Sequence, residues 1–262
     1  MAPIRMTWWR SGEQHNFGDD LSPLIVRVVS GREVQRVQMG TADLLAIGSL
    51  LGIYAKLPHI LDRTAILHIW GSGTLHPVNF PHIPYLHVSS VRGPLTRNVV
   101  RSSEMTALGD PGLLADRLIS SPKEKQYAWG IIPHHLHVDL PIFREIATQT
   151  PHSILIDVRD PDTLATVAKI ASCERIASTS LHGLIVADAF HIPNFWLSKD
   201  VGKKRTDWKF IDYFLSVGRS LFESHPIPDS SDLNELEEGE RANYFDIVER
   251  TKVEIVAAFP DV

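Results

Sequence analysis

The stretch ERIASTSLHGLIVADAFHIPNFW, residues 174–196, decides the fold. Ile176 and Ala177 make the apolar pair of a strand, and Ser178, Thr179 and Ser180 supply hydroxyls at a helix start. Leu181, Leu184, Ile185, Ala187, Ala189 and Phe190 then recur at helical spacing. Pro193 ends the helix, and Phe195, Trp196 and Leu197 open the next buried strand. This is a βαβ unit whose turn lies at the carboxyl end of a strand, where ligands bind in open α/β sheets. His182 falls in the first helical turn, where unpaired backbone N–H groups and the helix dipole favour an anion. Local packing and hydrogen bonding are the ordinary alternative for such a histidine, and spacing does not separate the two.

The same alternation precedes this unit. Residues 127–132 read as a strand leading into Pro133, His134 and His135, and residues 142–148 as a helix. Residues 153–158 (SILIDV) form a buried strand ending at Arg159, and 162–173 an amphipathic helix with Leu164, Val167, Ala168 and Ala171 inward. Residues 120–126 (SSPKEKQ) are polar and lack apolar periodicity, which marks a linker. After Trp196 come a basic loop at 201–205 (VGKKR), an aromatic-faced helix at 209–217, an acidic turn-rich segment at 226–240 and a final amphipathic helix at 242–259.

Before the linker, residues 4–9 are a first strand, and NFGDDLSPLIVRVVSG (16–31) is a glycine-containing loop entering a helix. Asp19 or Asp20 is the expected cap, with Leu21, Leu24, Ile25 and Val28 as the buried face. This is neither GxGxxG nor a Walker motif. A short strand at 44–48 and a helix at 49–57 follow, then the strand 65–70, which ends in Gly71, Ser72 and Gly73. Glycines after a buried strand let another group approach the backbone, and a plain tight turn is the alternative. The strand 86–91 ends at Arg92, and Pro94 suits the first turn of a helix to 101. An arginine at such a turn can hold a carboxylate or phosphate bidentately, or form a surface ion pair. A strand at 106–109 leads through Asp110, either a helix cap or a site residue, into a helix at 113–119.

Two runs of alternating strands and helices imply an α/β chain of two Rossmann-like domains, 1–120 and 127–262, facing a cleft. The turns at 71–74, Arg92, His134 and His182 all follow strands and are expected to converge there. The 262 residues, 44% hydrophobic and 22% charged, suffice for such a core. A net charge of −5 argues against nucleic acid as a partner. The single cysteine, Cys173, precludes an internal disulfide and fits a reducing compartment as a small buried hydrophobe. No apolar run reaches bilayer-spanning length, and the start MAPIRMTWWR is unlike a signal peptide, so a cytoplasmic location is expected.

Taken in order, NFGDDL, IGSLL, IWGSGT, SVRGPLTR, LGDPGLL, IIPHH, ERIASTSLHGLIVADAFHIPN and KFIDYF resemble the polysaccharide pyruvyl transferases, closest to the exopolysaccharide ketal branch. The resemblance spans about residues 16–214. It implies a GT-B-like pair of domains and transfer of pyruvate from phosphoenolpyruvate to a sugar, releasing phosphate, with no metal or organic cofactor. It also implies a lipid-linked or other glycan acceptor at the inner membrane face. There, 201–205 and Trp208 are candidate contacts with an anionic surface, or else a solvated loop. Arg92 matches the family arginine linked to the donor, and His182 the histidine of its S-x-H-G motif. Some members place an arginine where this chain has Ser180; Arg97, Arg159 or 203–205 are candidate substitutes.

Ketal formation needs an acid for the donor's methylene carbon, a base for the sugar hydroxyl, and cations for carboxylate and phosphate. His182 as acid, His134 or His135 as base and Arg92 as clamp are the candidates for those tasks on the sequence. Gly71, Ser72, Gly73, Asp110, His135, Arg159, Ser180 and Gly183 are the expected binding residues, with Asp19 and Asp20 also in reach of acceptor hydroxyls. A nucleotide-sugar glycosyltransferase fits the same fold. A metal-dependent hydrolase using His134, His135, His137 and Asp139, and a silent binding module, are further alternatives.

Overall fold

The computed structural model describes residues 2–10, 12, 15–57, 65–120, 124–198, 208–219, 225–227, 233, 236 and 244–262. The first half runs β1 (Ile4–Thr7), α1 (Phe17–Ser30), β2 (Val34–Arg36), β3 (Leu44–Leu45), α2 (Leu51–Tyr54), β4 (Leu67–Trp70), β5 (Leu86–Val91), α3 (Pro94–Val100) and β6 (Ala107–Leu108). A 3₁₀ helix, Pro111–Arg117, follows. The second half runs β7 (Tyr127–Ile132), α4 (Pro141–Gln149), β8 (Ser153–Leu155), α5 (Thr163–Ala171), β9 (Cys173–Ser178), α6 (Leu181–Ala189), β10 (Asn194–Ser198), α7 (Trp208–Ser216), β11 (His225–Pro226) and α8 (Phe245–Ala257). The basic loop at 201–205 and most of the acidic segment lie outside the described residues.

Two sheets result, in the orders β2-β1-β3-β4-β5-β6 and β11-β10-β9-β7-β8. Every pairing is parallel. Numbered from its own first strand, each sheet begins 2-1-3-4-5, the doubly wound order in which the winding reverses between strands one and three. The reversals therefore fall between β1 and β3, and between β7 and β9. The pleat sorts the apolar side chains. In β4, Leu67 and Ile69 join one cluster with Leu45, Leu51 and Val91, while Trp70 points to the opposite face. In β9, Ala177 packs with Trp129 and Phe143, and Ile176 faces the other way.

The inward faces of both halves share one core, in which Met6, Leu21 and Trp70 join Ile132, Ile176 and Leu184. The 3₁₀ segment packs against both α1 and α6. The terminal helix α8 returns to the first sheet, where Trp70 Nε1 donates to Ile255 O at 2.8 Å and its ring meets Phe259 edge-on at 4.9 Å.

Several helices differ from expectation. Asn16, not Asp19 or Asp20, is the N-cap of α1, so both aspartates lie in its first turn. Val28 is exposed, because Ser22 and Val26 complete the buried face beside Leu21 and Ile25. In α5, Thr163, Thr166, Val167, Ile170 and Ala171 are buried and Leu164 and Ala168 are exposed, the helix lying against α1 and α6. The expected helix at 113–119 is the 3₁₀ segment, begun two residues earlier by Pro111 and capped by Asp110 Oδ1, which accepts from Gly112 N at 2.9 Å.

Candidate active site

The carboxyl ends of the two sheets face each other. Trp9, beyond β1, meets His135, beyond β7, with ring centroids 5.9 Å apart. Phe17 N donates to Val158 O, in the loop after β8, at 3.0 Å. The first turn of α1 is thereby pressed onto the loops of the second sheet.

The two aspartates of the NFGDD run divide their work. Asp20 pins the 8–16 loop: it accepts from Trp8 Nε1 at 3.2 Å and Arg10 Nε at 3.1 Å, and pairs with His15 Nδ1 at 3.0 Å. Asp19 turns inward. Its Oδ2 accepts from Asn16 Nδ2 at 2.7 Å, and its other oxygen rests on Gly48, whose φ of 107° and crowding by this carboxyl exclude a side chain. Burial pushes the Asp19 carboxyl up to about 8; Lys209 pulls against this, and Asp20 and Asp110 reinforce it. Asp19 thus holds a proton near neutrality.

Gly18, beside it, has no side chain because a Cβ there would overlap the His182 ring. His182 starts α6 and is largely buried. Its Nε2 stands 3.8 Å from Asp110 Oδ2, and neither atom has a hydrogen-bond partner among the described residues. Burial, then the charges of Lys209 and Arg92, depress the imidazole to about 3. Burial raises Asp110 to about 6 against the Gly112 N–H and Arg92. His182 is therefore a neutral ring facing a carboxylate at neutral pH. A buried neutral imidazole is better suited to accept a proton than to donate one.

His134 is held by its backbone N donating to Thr179 Oγ1 at 2.7 Å, and its ring lies 4.1 Å from that of His135. Burial first, then Lys209 and the neighbouring histidines, His182 included, lower it to about 3. His135 is lowered by burial and Lys209. The four-residue metal cluster does not assemble: Asp139 turns to Arg159 at 2.7 Å, and His137 Nδ1 contacts Thr179 Oγ1 at 3.2 Å. Among the described residues no group of three or more His, Cys, Asp or Glu side chains is placed to hold a metal ion.

Lys209 is the residue the sequence reading missed. It is the second residue of α7, and its charge acts on Asp19, His134, His135 and His182 together. Burial and Arg92 lower it to about 8, with Asp19 opposing. The signal available was its place at the head of KFIDYF, a segment read only for its aromatic face.

Arg92 is buried rather than at the surface. Nη1 donates to Ser49 Oγ at 2.9 Å, Nη2 donates to Thr74 O at 2.5 Å and lies 3.2 Å from Asp212 Oδ2, and Nε has no partner among the described residues. Its guanidinium lies on Gly73, where a Cβ would strike it. Gly71, at φ 81°, is required by the ring of Pro111. Ser72 Oγ donates to Gly48 O at 2.9 Å. The Gly71–Ser72–Gly73 turn is therefore occupied in packing the first switch point. Gly183 gives room to Ser178 Oγ, which bridges Ile132 O and Ser180 O, and Ser180 N donates back to that hydroxyl at 2.9 Å. Arg159 is engaged by Asp157 and Asp139, and Arg97 Nη1 donates to Glu104 O at 3.0 Å.

Fold and site together define a doubly wound α/β protein with neutral histidines, a proton-holding carboxyl and a lysine gathered where two winding reversals meet. The sequence profile of polysaccharide pyruvyl transferases matches residues 83–200, the segment holding Arg92, Asp110, His134 and His182. Over that segment, a little under half of its length, the chain is similar to the polysaccharide pyruvyl transferase family. It is similar to succinoglycan biosynthesis protein ExoV of Rhizobium meliloti (strain 1021), at 28% identity over 217 residues, covering 80% of this chain and 64% of that protein. It is also similar to protein L143 of Acanthamoeba polyphaga mimivirus, at 36% identity over 117 residues, covering 42% of this chain and 40% of that one. The chain thus spans less than two thirds of either relative.

Proposed function

We propose that the protein transfers pyruvate from phosphoenolpyruvate to two hydroxyls of an exopolysaccharide sugar, forming a ketal and releasing phosphate. The observation that carries this is the meeting of Lys209 with neutral His182 and His134 and with Asp19. The donor brings a carboxylate and a phosphate, and Lys209 together with the field of Arg92 supplies the positive charge that Ser180 lacks. Asp19 holds the proton that the methylene carbon takes up on becoming a methyl group. His182 accepts the proton of the first attacking hydroxyl, and His134 stands beside it for the second. In balance, one hydroxyl proton replaces that given by Asp19 to carbon, and the other leaves on phosphate. The donor already carries an activated enol phosphate, so the reading calls for no metal or organic cofactor. The facing sheets agree with a GT-B-like arrangement. A glycan acceptor, lipid-linked in this reading, is in keeping with the likeness to a succinoglycan biosynthesis protein. No helix among the described residues is long and apolar enough to cross a membrane.

The test is incubation with phosphoenolpyruvate and an undecorated succinoglycan-type repeat unit. The expected result is a mass gain of one ketal-linked pyruvate with equimolar phosphate. Thermal stabilisation by nucleotide sugars but not phosphoenolpyruvate would instead favour a glycosyltransferase.

A further inference from the structure

We infer that Asp110 is a positioning residue that holds His182 with its proton on Nε2, leaving the Nδ1 lone pair to take the acceptor's proton. This rests on the pyruvyl-transfer reading for the identity of the acceptor only. The geometry is independent of it.

Asp110 has two jobs, one for each oxygen. Oδ1 accepts from Gly112 N at 2.9 Å and caps the 3₁₀ segment. Oδ2 is fully buried and points at His182 Nε2, 3.8 Å away, and both atoms lack any other partner among the described residues. A buried carboxylate oxygen opposite a bare ring nitrogen repels its lone pair, whereas an N–H there is attracted. Nε2 is sealed from solvent, so it cannot meet a substrate. Nδ1 is the nitrogen turned toward α1, over Gly18, whose missing side chain leaves the ring its place next to Asp19. Only Nδ1 remains to act as a base.

In the reaction the acceptor oxygen bonds to the donor's C2 as its proton moves to Nδ1. The C2–C3 double-bond electrons take the Asp19 proton to make the methyl group. The imidazolium formed faces the Asp110 carboxylate, which offsets the charge that Lys209 and Arg92 otherwise disfavour. The groups acting on this pair are Lys209 from α7, Arg92 after β5, His134 after β7, and, on Asp110, Arg92, Asp212 and the Gly112 N–H.

The experiment is long-range ¹H–¹⁵N correlation on histidine-labelled protein at pH 7.5, with His182 assigned by its disappearance in His182→Gln. The expected signature is a neutral ring protonated on Nε2; a ring protonated on Nδ1 overturns the inference. Asp110→Asn keeps the cap, since its amide oxygen still accepts from Gly112 N. Its NH₂ then faces Nε2 and forces the proton to Nδ1. The expected result is a flipped tautomer and a kcat lower by roughly 10³–10⁴-fold, the scale of such a substitution in a serine-protease triad, with the KM for phosphoenolpyruvate little changed. An unflipped ring, or kcat within tenfold of the parent, overturns the inference. If the parent protein transfers no pyruvate, the functional reading fails while the tautomer measurement still decides the role of Asp110. If Asp110→Asn does not fold, the parent spectrum decides alone.

Discussion

Arg92 Nη2 lies 3.2 Å from Asp212 Oδ2, and both side chains are withdrawn from solvent. The pair joins the turn after β5 to α7, and Asp212 is further held by Thr96, whose N and Oγ1 donate to it at 3.0 and 2.6 Å. Gly93 permits this approach, because a Cβ there would strike the Asp212 backbone. Removing one member of a buried pair strands the other charge, at about 3–5 kcal/mol. Arg92→Ala is thus expected to lower unfolding free energy by that amount, measured by urea denaturation, and to lose activity along with stability. A loss below about 1 kcal/mol with activity abolished would instead mark Arg92 as a donor clamp alone.

Among the described residues Lys209 has no carboxylate ion pair of the kind that Asp212 gives Arg92. Lys209→Met is expected to weaken phosphoenolpyruvate binding by about 1.5–3 kcal/mol, roughly 10- to 150-fold in Kd by calorimetry, with the fold intact. Lys209→Arg should restore part of the affinity. The trianionic donor also stabilises the ammonium, whose folded value is about 8. Binding at pH 8 should therefore take up protons, visible as a dependence of the apparent binding enthalpy on buffer ionisation. Equal affinity of Lys209→Met and parent would remove Lys209 from the donor site.

Much of this was legible in the chain. β5 and β7 run over the residues expected, 86–91 and 127–132, because apolar and β-branched runs bounded by Pro or Gly have one reading. His182, Asp110 and His134 each sit at a turn after a strand, as spacing required. The residues that spacing could not reach are Asp19 and Lys209. Asp19 and Asp20 are adjacent and alike in sequence, and only tertiary placement turns one onto the Trp8–Arg10 loop and the other onto Gly48. Lys209 lies in the first turn of a helix as a solvated lysine would, and only tertiary placement buries it within reach of the charges of Arg92 and Asp19. The acid and base roles were also hidden, since burial and not residue type sets which group holds the proton.

The pH dependence of stability follows from these shifts. Asp19 is raised from 3.8 to about 8, so its favourable contribution is full below about 4 and is lost as pH rises through 8. His182 and His134 are lowered from 6.5 to about 3, so theirs is full above 6.5 and is lost as pH falls toward 3. Near pH 7–7.5, above the ordinary histidine value of 6.5 and below the value of about 8 reached by both Asp19 and Lys209, the Asp19 contribution outweighs the opposing ones from the histidines and Lys209. Stability there should fall with rising pH, by at most about 1.4 kcal/mol per pH unit for one proton. Asp19→Asn should flatten that segment in denaturation series. A slope unchanged in the variant would assign the titration to another group.

Gly18→Ala separates position from charge. In the first turn of a helix an alanine is ordinarily favoured over glycine by about 0.5–1 kcal/mol. Here the new Cβ meets the His182 ring, and the ring must move because the α1 backbone is tied to Val158 through Phe17 N. A side chain displaced by about 1 Å from a reacting group costs on the order of 100-fold in rate. The variant is therefore expected to keep its melting temperature within a few degrees, to keep donor affinity through Lys209, and to lose about 100-fold in kcat. Full activity in Gly18→Ala would mean that His182 tolerates displacement, and its contact with Gly18 would then be one of packing.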